Sequence, residues 1–209
     1  MLSRLSAFFV SFRLLLASAL ATICLTGLLG GATAQAQTAL TWQGTAGLGN
    51  TNWNATNNWL AAPPATSGTY SLFINNNARP TNVNNLGGLV LTNMSFGSGA
   101  GAFTISGSAV TLRGVISNSS ASNQSISFNI LLGGTAATSG TFQAASSGTV
   151  TLSGTISGTN GLVKTGTGVF RITGANTYSG ATQVNAGSIS IDANASDRVG
   201  FPVPGDMRV

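Results

Sequence analysis

Histidine and glutamate do not occur in this 209-residue chain, and its three aspartates all lie after residue 191. Charged residues make up only 5%. These absences exclude whole classes of chemistry. Ser–His–Asp and Cys–His nucleophile systems need an imidazole base. Glycosidase and pectin-cleaving chemistry on a β-scaffold needs carboxylates, or cations beside a bound ion. Calcium repeats need several anionic oxygen ligands. The glycines at 166 and 168 precede no helix, so they form no phosphate cradle. No catalytic, cofactor-binding or metal-ligating residue can be nominated, and the chain reads as non-enzymatic.

Cysteine is nearly absent too. Cys24 is the only one, and Ile23 before it does not suit a lipid-attachment motif. Beyond it there is neither disulfide nor thiolate site. The basic excess is modest: net charge is +5 and the pI about 10.8. Arg79, Arg113, Lys164, Arg171, Arg198 and Arg208 form no run and no aromatic-interleaved stripe, so a nucleic-acid footprint is not expected.

What is present begins with an export signal. Residues 1–36 carry Arg4 and Arg13, an uncharged Leu/Ala-rich stretch from Leu14 to Leu29, and the small-x-small triplets Ala32-Thr33-Ala34 and Ala34-Gln35-Ala36. That order is the signature of a secretory signal peptide, with cleavage expected between Ala36 and Gln37 and Ala34 as runner-up. An uncleaved membrane anchor is the alternative, since the apolar stretch approaches spanning length. The small-residue exit favours cleavage, leaving no stable membrane span in the mature chain. The export machinery is then the expected partner and the destination secreted or cell-surface.

Residues 37–68 hold all three tryptophans, Trp42, Trp53 and Trp59, among Asn, Thr and Gly. Two readings compete. Exposed indoles beside asparagine can stack on sugars, giving a carbohydrate-binding surface for a glycan or surface polymer. Alternatively, the segment caps the end of a strand stack, which repeat proteins require. The cap is preferred.

From residue 69 to 191 apolar residues alternate with small polar ones in short runs between glycine-containing turns, as in Tyr70-Ser71-Leu72-Phe73-Ile74 and Ile126-Ser127-Phe128-Asn129-Ile130. This is the two-residue period of half-buried strands. Helical periodicity is nowhere sustained, so helix content should be close to nil. Val110-Thr111-Leu112-Arg113-Gly114-Val115-Ile116-Ser117 returns forty residues later as Val150-Thr151-Leu152-Ser153-Gly154-Thr155-Ile156-Ser157. The offset fits one long repeat or two solenoid turns of about 20 residues.

Between residues 161 and 191 the alternation is clearest. Leu162, Phe170, Ile172, Tyr178 and Val184 share the even parity, and Thr165, Arg171, Thr173 and Thr177 the odd one, shifting near Gly187 so that Ile189 and Ile191 face inward. Lys164 and Arg171 read as cations on a solvated strand face that protect an edge. Asn176 reads as a turn residue hydrogen-bonding within the fold, and Tyr178 as core.

The residues Lys164, Gly166, Gly168, Gly174, Asn176, Tyr178, Gly180, Thr182, Val184 and Gly187 resemble, position by position, the autotransporter-associated β-strand repeat, also called the passenger-associated transport repeat. The resemblance is specific over about 30 residues. Val150 to Gly158 looks like the usual lead-in, and the Trp-rich start is typical of such proteins. It implies an all-β, right-handed parallel β-helix, exported and displayed at or released from the cell surface, structural or adhesin-like in role. Low charge and Asn/Ser/Thr richness leave an aggregating surface-fibre component as a further alternative. Residues 192–209, where charge and proline concentrate, read as an irregular or disordered tail or linker.

Overall fold

The computed structural model describes residues 37–45, 49–133, 140–144 and 148–191. The expected signal peptide, its cleavage site at Ala36, and the expected tail at 192–209 lie outside these.

Fifteen strands follow one another: β1 Thr38–Thr41, β2 Thr69–Ile74, β3 Thr81–Asn84, β4 Leu89–Phe96, β5 Thr104–Gly107, β6 Val110–Asn118, β7 Gln124–Ile126 and β8 Ile130–Leu132. Then come β9 Gly140–Ala144, β10 Val150–Leu152, β11 Ile156–Ser157, β12 Leu162–Thr165, β13 Val169–Ile172, β14 Thr182–Val184 and β15 Ser188–Ile191. Helix among the described residues amounts to one 3-10 turn, Thr56–Asn58.

Apart from β1 and β2, consecutive strands do not pair. One sheet runs β1-β2-β4-β6-β9-β12-β14, with β8 and β11 branching from β6, and the other β3-β5-β7-β10-β13-β15. Every strand pairing is parallel. Parallel neighbours need a crossover, and here the crossover of one sheet is a strand of the other. The chain therefore coils, laying each circuit on the one before: a parallel β-solenoid.

Register turns the alternation into ladders. Leu40, Leu72, Met94, Ile116, Phe142, Lys164 and Val184 stack in the first sheet. Asn82, Ile105, Ile126, Leu152, Ile172 and Ile191 stack in the second. Nearly all of these are buried in one continuous core. Full burial of such a side chain is worth about 1.5–3 kcal/mol relative to exposure, and the unit repeats every coil. Phe142 and Phe170 stack between the two sheets, centroids 5.1 Å apart and 10° from parallel.

The forty-residue echo has another meaning than a fixed period. Val110–Leu112 belongs to the first sheet and Val150–Leu152 to the second. Register carries Val110 to Ile130 and on to Ile156, 46 positions away, and not to Val150. What the two segments share is a glycine in close backbone contact between apolar strand residues: Gly114 lies inside β6, where its pairing with β4 shifts register, and Gly154 lies between β10 and β11. A Cβ on Gly114 would lie 2.0 Å from the Thr92 carbonyl oxygen, and one on Gly154 2.1 Å from that of Phe128. Coil length itself varies: along Met94, Ile116, Phe142, Lys164 and Val184 the steps are 22, 26, 22 and 20 residues.

Candidate functional site

Two places hold the residues singled out from sequence: the repeat coil at 161–191 and the Trp-rich segment at 37–68. They are built on opposite principles.

In the repeat coil β12 and β13 meet at a tight corner. Gly166 there has φ +73°, and a Cβ on it would lie 2.3 Å from the Ala144 carbonyl oxygen of the coil beneath. Gly187, φ +68°, takes the matching corner of the next coil, above the carbonyls of Gly166 and Gly168. Positive φ is freely open only to glycine. Gly174 packs on the Gly154 backbone, and Gly180 on the Asn160–Gly161 peptide.

Between these corners the segment from 175 to 181 runs beside β11 without forming a strand of its own. Asn176 replaces part of the missing ladder. Its Oδ1 accepts from the Ile156 N–H at 2.9 Å, and its Nδ2 donates to the Gly174 carbonyl at 2.9 Å. From the opposite side, Asn129 on the preceding coil accepts from the Thr155 N–H at 2.9 Å. Tyr178 is buried, its hydroxyl 2.6 Å from Thr182 Oγ1. Val184 is half-buried at the end of its ladder.

Lys164 corrects the sequence reading. It lies on no solvated face: its side chain is 0% exposed. It occupies the inward ladder between Phe142 and Val184. Its Nζ donates to the carbonyls of Thr165, of Gly166 at 2.6 Å and of Ala186 at 3.2 Å, and sits 5.9 Å from the Phe170 ring centroid. Burial pushes its ammonium down from 10.5 to about 8. The signal was in the sequence: 164 has the parity of Leu162 and Phe170. Charge outweighed parity in the reading, whereas three turn carbonyls outweigh charge in the fold. Arg171, of opposite parity, is exposed as expected.

At the other end the three indoles interlock. Trp42 meets Trp59 edge-on at 5.1 Å, and Trp53 meets Trp59 at 5.8 Å. Each ring N–H is satisfied: Trp42 donates to the Ala78 carbonyl at 3.0 Å, Trp53 to Asn82 Oδ1 at 2.8 Å, and Trp59 to the Trp53 carbonyl at 2.6 Å. All three are at most 3% exposed. A sugar stacks only on an uncovered ring face, so these indoles offer none as they stand, and the sugar-stacking reading gains no support.

The same segment covers strand edges. Trp42 and Trp59 form an antiparallel bridge, and the Leu60 N–H donates to the Thr41 carbonyl, on the side of β1 away from β2. Asn52 bridges to Val83 on β3. Among the described residues nothing comparable pairs with the outer edges of β14 and β15.

Among the described residues no group of three or more His, Cys, Asp or Glu could hold a metal, and no helix is long and apolar enough to cross a membrane.

Coil on coil, glycine corners and an asparagine that stands in for backbone define a parallel β-solenoid of the repeat type. The particular repeat is a known one: residues 162–191 match the passenger-associated-transport-repeat family. The chain carries that repeat as its last described coil. It is also similar to the adhesin BmaC autotransporter of Brucella suis biovar 1 (strain 1330), 35% identical over 149 residues. That alignment covers 71% of this chain and 4% of the adhesin, so the chain spans a small fraction of its relative. No solved structure matches it significantly.

Proposed function

We propose that this chain is an exported, non-catalytic passenger solenoid with a structural or adhesin-like role at the cell surface. One observation carries the reading: among the described residues a parallel coil stack has a passenger-associated transport repeat as its last coil. Similarity to an autotransporter adhesin over 71% of the chain supports it. In this reading residues 1–36 direct export with cleavage between Ala36 and Gln37, and residues 37–68 cap the stack. The Ser/Thr-rich outer columns, such as Thr81, Thr104, Ser125, Thr151 and then Arg171, present a sparsely charged surface without carboxylate or imidazole.

The test is adhesion. Beads coated with the folded chain should adhere to host-cell or abiotic surfaces above beads coated with an unrelated solenoid. Equal adhesion of both, with the chain folded by circular dichroism, rejects the adhesin role. A glycan array run in parallel separates sugar recognition from general adhesion. The fibre alternative predicts thioflavin-positive polymer on prolonged incubation at high concentration.

A further inference from the structure

Repeat stacks need a cover at an open end, because a bare terminal coil exposes both an apolar ladder and a row of unpaired backbone groups. The start of this stack has one: Leu60 lies along β1, and Asn52 bridges to β3. The coil of β14 and β15 has none among the described residues. The Leu162 N–H donates to the Ala181 carbonyl, and the Asn185 N–H to the Lys164 carbonyl, so the odd-numbered residues here bond to β12. Backbone groups alternate sides along a strand, and those of Thr182 and Val184 therefore point to the outer edge. In β15 the Ser188 N–H donates to the Gly168 carbonyl, which leaves Ile189 and Ile191 pointing outward in the same way. Neither strand carries a charge, a proline or a register shift, the usual devices that blunt an edge. The ladders are unfinished too. Lys164 and Ile172 are wholly buried, whereas Val184 and Ile191, next in register, are only half-buried against the core.

We propose that the outer edge of β14 and β15 is a strand-addition site that takes one coil of passenger-repeat chemistry from another polypeptide. The interface that seats the last coil fixes what the next must be. Parallel pairing continues when the incoming segment is uncharged and has apolar residues two apart to lie on Val184 and Ile191. It also needs glycine over the Gly187 corner, which itself sits on the carbonyls of Gly166 and Gly168. Main-chain bonds then supply affinity, and the alternate side chains supply selectivity. Residues 192–209 do not fit, because all three aspartates of the chain, with Pro202 and Pro204, break the uncharged alternation. A second copy does not fit either, since the matching edges of its own first coil, β1 and β3, are covered.

The probe is a fluorescent peptide of residues 161–191, whose Leu162, Phe170 and Ile172 have the required parity, titrated into the folded full chain and read by anisotropy. A control of equal composition exchanges Phe170 with Arg171 and Ile172 with Thr173. The matched peptide should bind about tenfold more tightly or better; equal binding overturns the proposal. Hydrogen exchange locates the contact. In the chain alone the amides of Thr182, Val184, Ile189 and Ile191 should exchange fast. With the matched peptide they should slow about tenfold or more, while Leu40 and Thr41 stay unchanged. Protection gained at the start instead overturns the site. Slow exchange at those four amides in the chain alone means that residues 192–209 or a second copy already occupies the edge, and rejects the proposal. Val184→Pro removes an outward N–H and no bond to β12, so it should weaken binding about tenfold or more; undiminished binding rejects the edge. If that variant does not fold, exchange mapping on unmodified chain decides. Peptide capture and bead adhesion are separate measurements, so failure of either leaves the other reading intact.

Discussion

The two ends of the stack solve the same problem with different materials. At the start, three large rings pack edge to face, and the chain turns antiparallel to lie along β1. At 161–191 the coil is made of glycine corners, an asparagine bonding main chain on both sides, and a buried lysine. The first arrangement closes an edge; the second copies the coil beneath it and leaves its own edge in a form that another coil could copy. Stability at the start should rest on a few large side chains. In the repeat it should rest on many small contacts that each demand a particular residue.

Substitutions can break this contrast, beginning with the most damaging. Ile172→Asp places an unpaired charge between Leu152 and Ile191 and should cost about 5 kcal/mol or more. Its odd-parity neighbour Thr173→Asp should cost less than about 0.5 kcal/mol. Similar losses in denaturant titration would refute the parity on which the solenoid rests.

Trp53→Ala removes a ring packed on Trp59 and Phe128 and a bond to Asn82. The expected cost is about 4 kcal/mol, with hydrogen exchange accelerated over residues 38–84 well before 162–191. Uniform acceleration along the chain would show that the start is not a separate closing device. Gly166→Ala forces an alanine into positive φ against the Ala144 carbonyl and should cost about 2–3 kcal/mol, with the exchange change concentrated at 162–191.

Smaller effects sharpen the comparison. Asn176→Ala orphans the buried Ile156 N–H and should cost about 1–2 kcal/mol, visible as faster exchange of that one amide. Phe73→Ser, at a side chain 42% exposed on the outer face, should change stability by less than about 0.5 kcal/mol.

Much of this was legible before the fold. The even parity of Leu162, Phe170, Ile172 and Tyr178, and its shift to Ile189, is what the structure buries, with Ile191 half-buried against the same core. Asn176 does bond within the fold, and the repeat is where its glycines indicated. Lys164 was misread because a cation on an apolar parity is ordinarily an exposed one. Nothing local says that three carbonyls from two corners converge on it. The forty-residue echo misled for a related reason. The same glycine-centred text serves inside one long strand, β6, in the first sheet and between β10 and β11 in the later segment.

By itself, then, the sequence determined the all-β class, the inward face of each strand and the identity of the repeat. It also determined that residues 37–191 contain no Asp, Glu, His or Cys. These follow from composition and from a period of two residues, which any short segment displays. Only the tertiary structure decided which sheet each strand joins, how long each coil is, and that the tryptophans face one another. It alone put the single lysine inside. Those outcomes depend on contacts between residues 19 to 32 positions apart, set when one coil settles on the last, and no local pattern specifies where that happens.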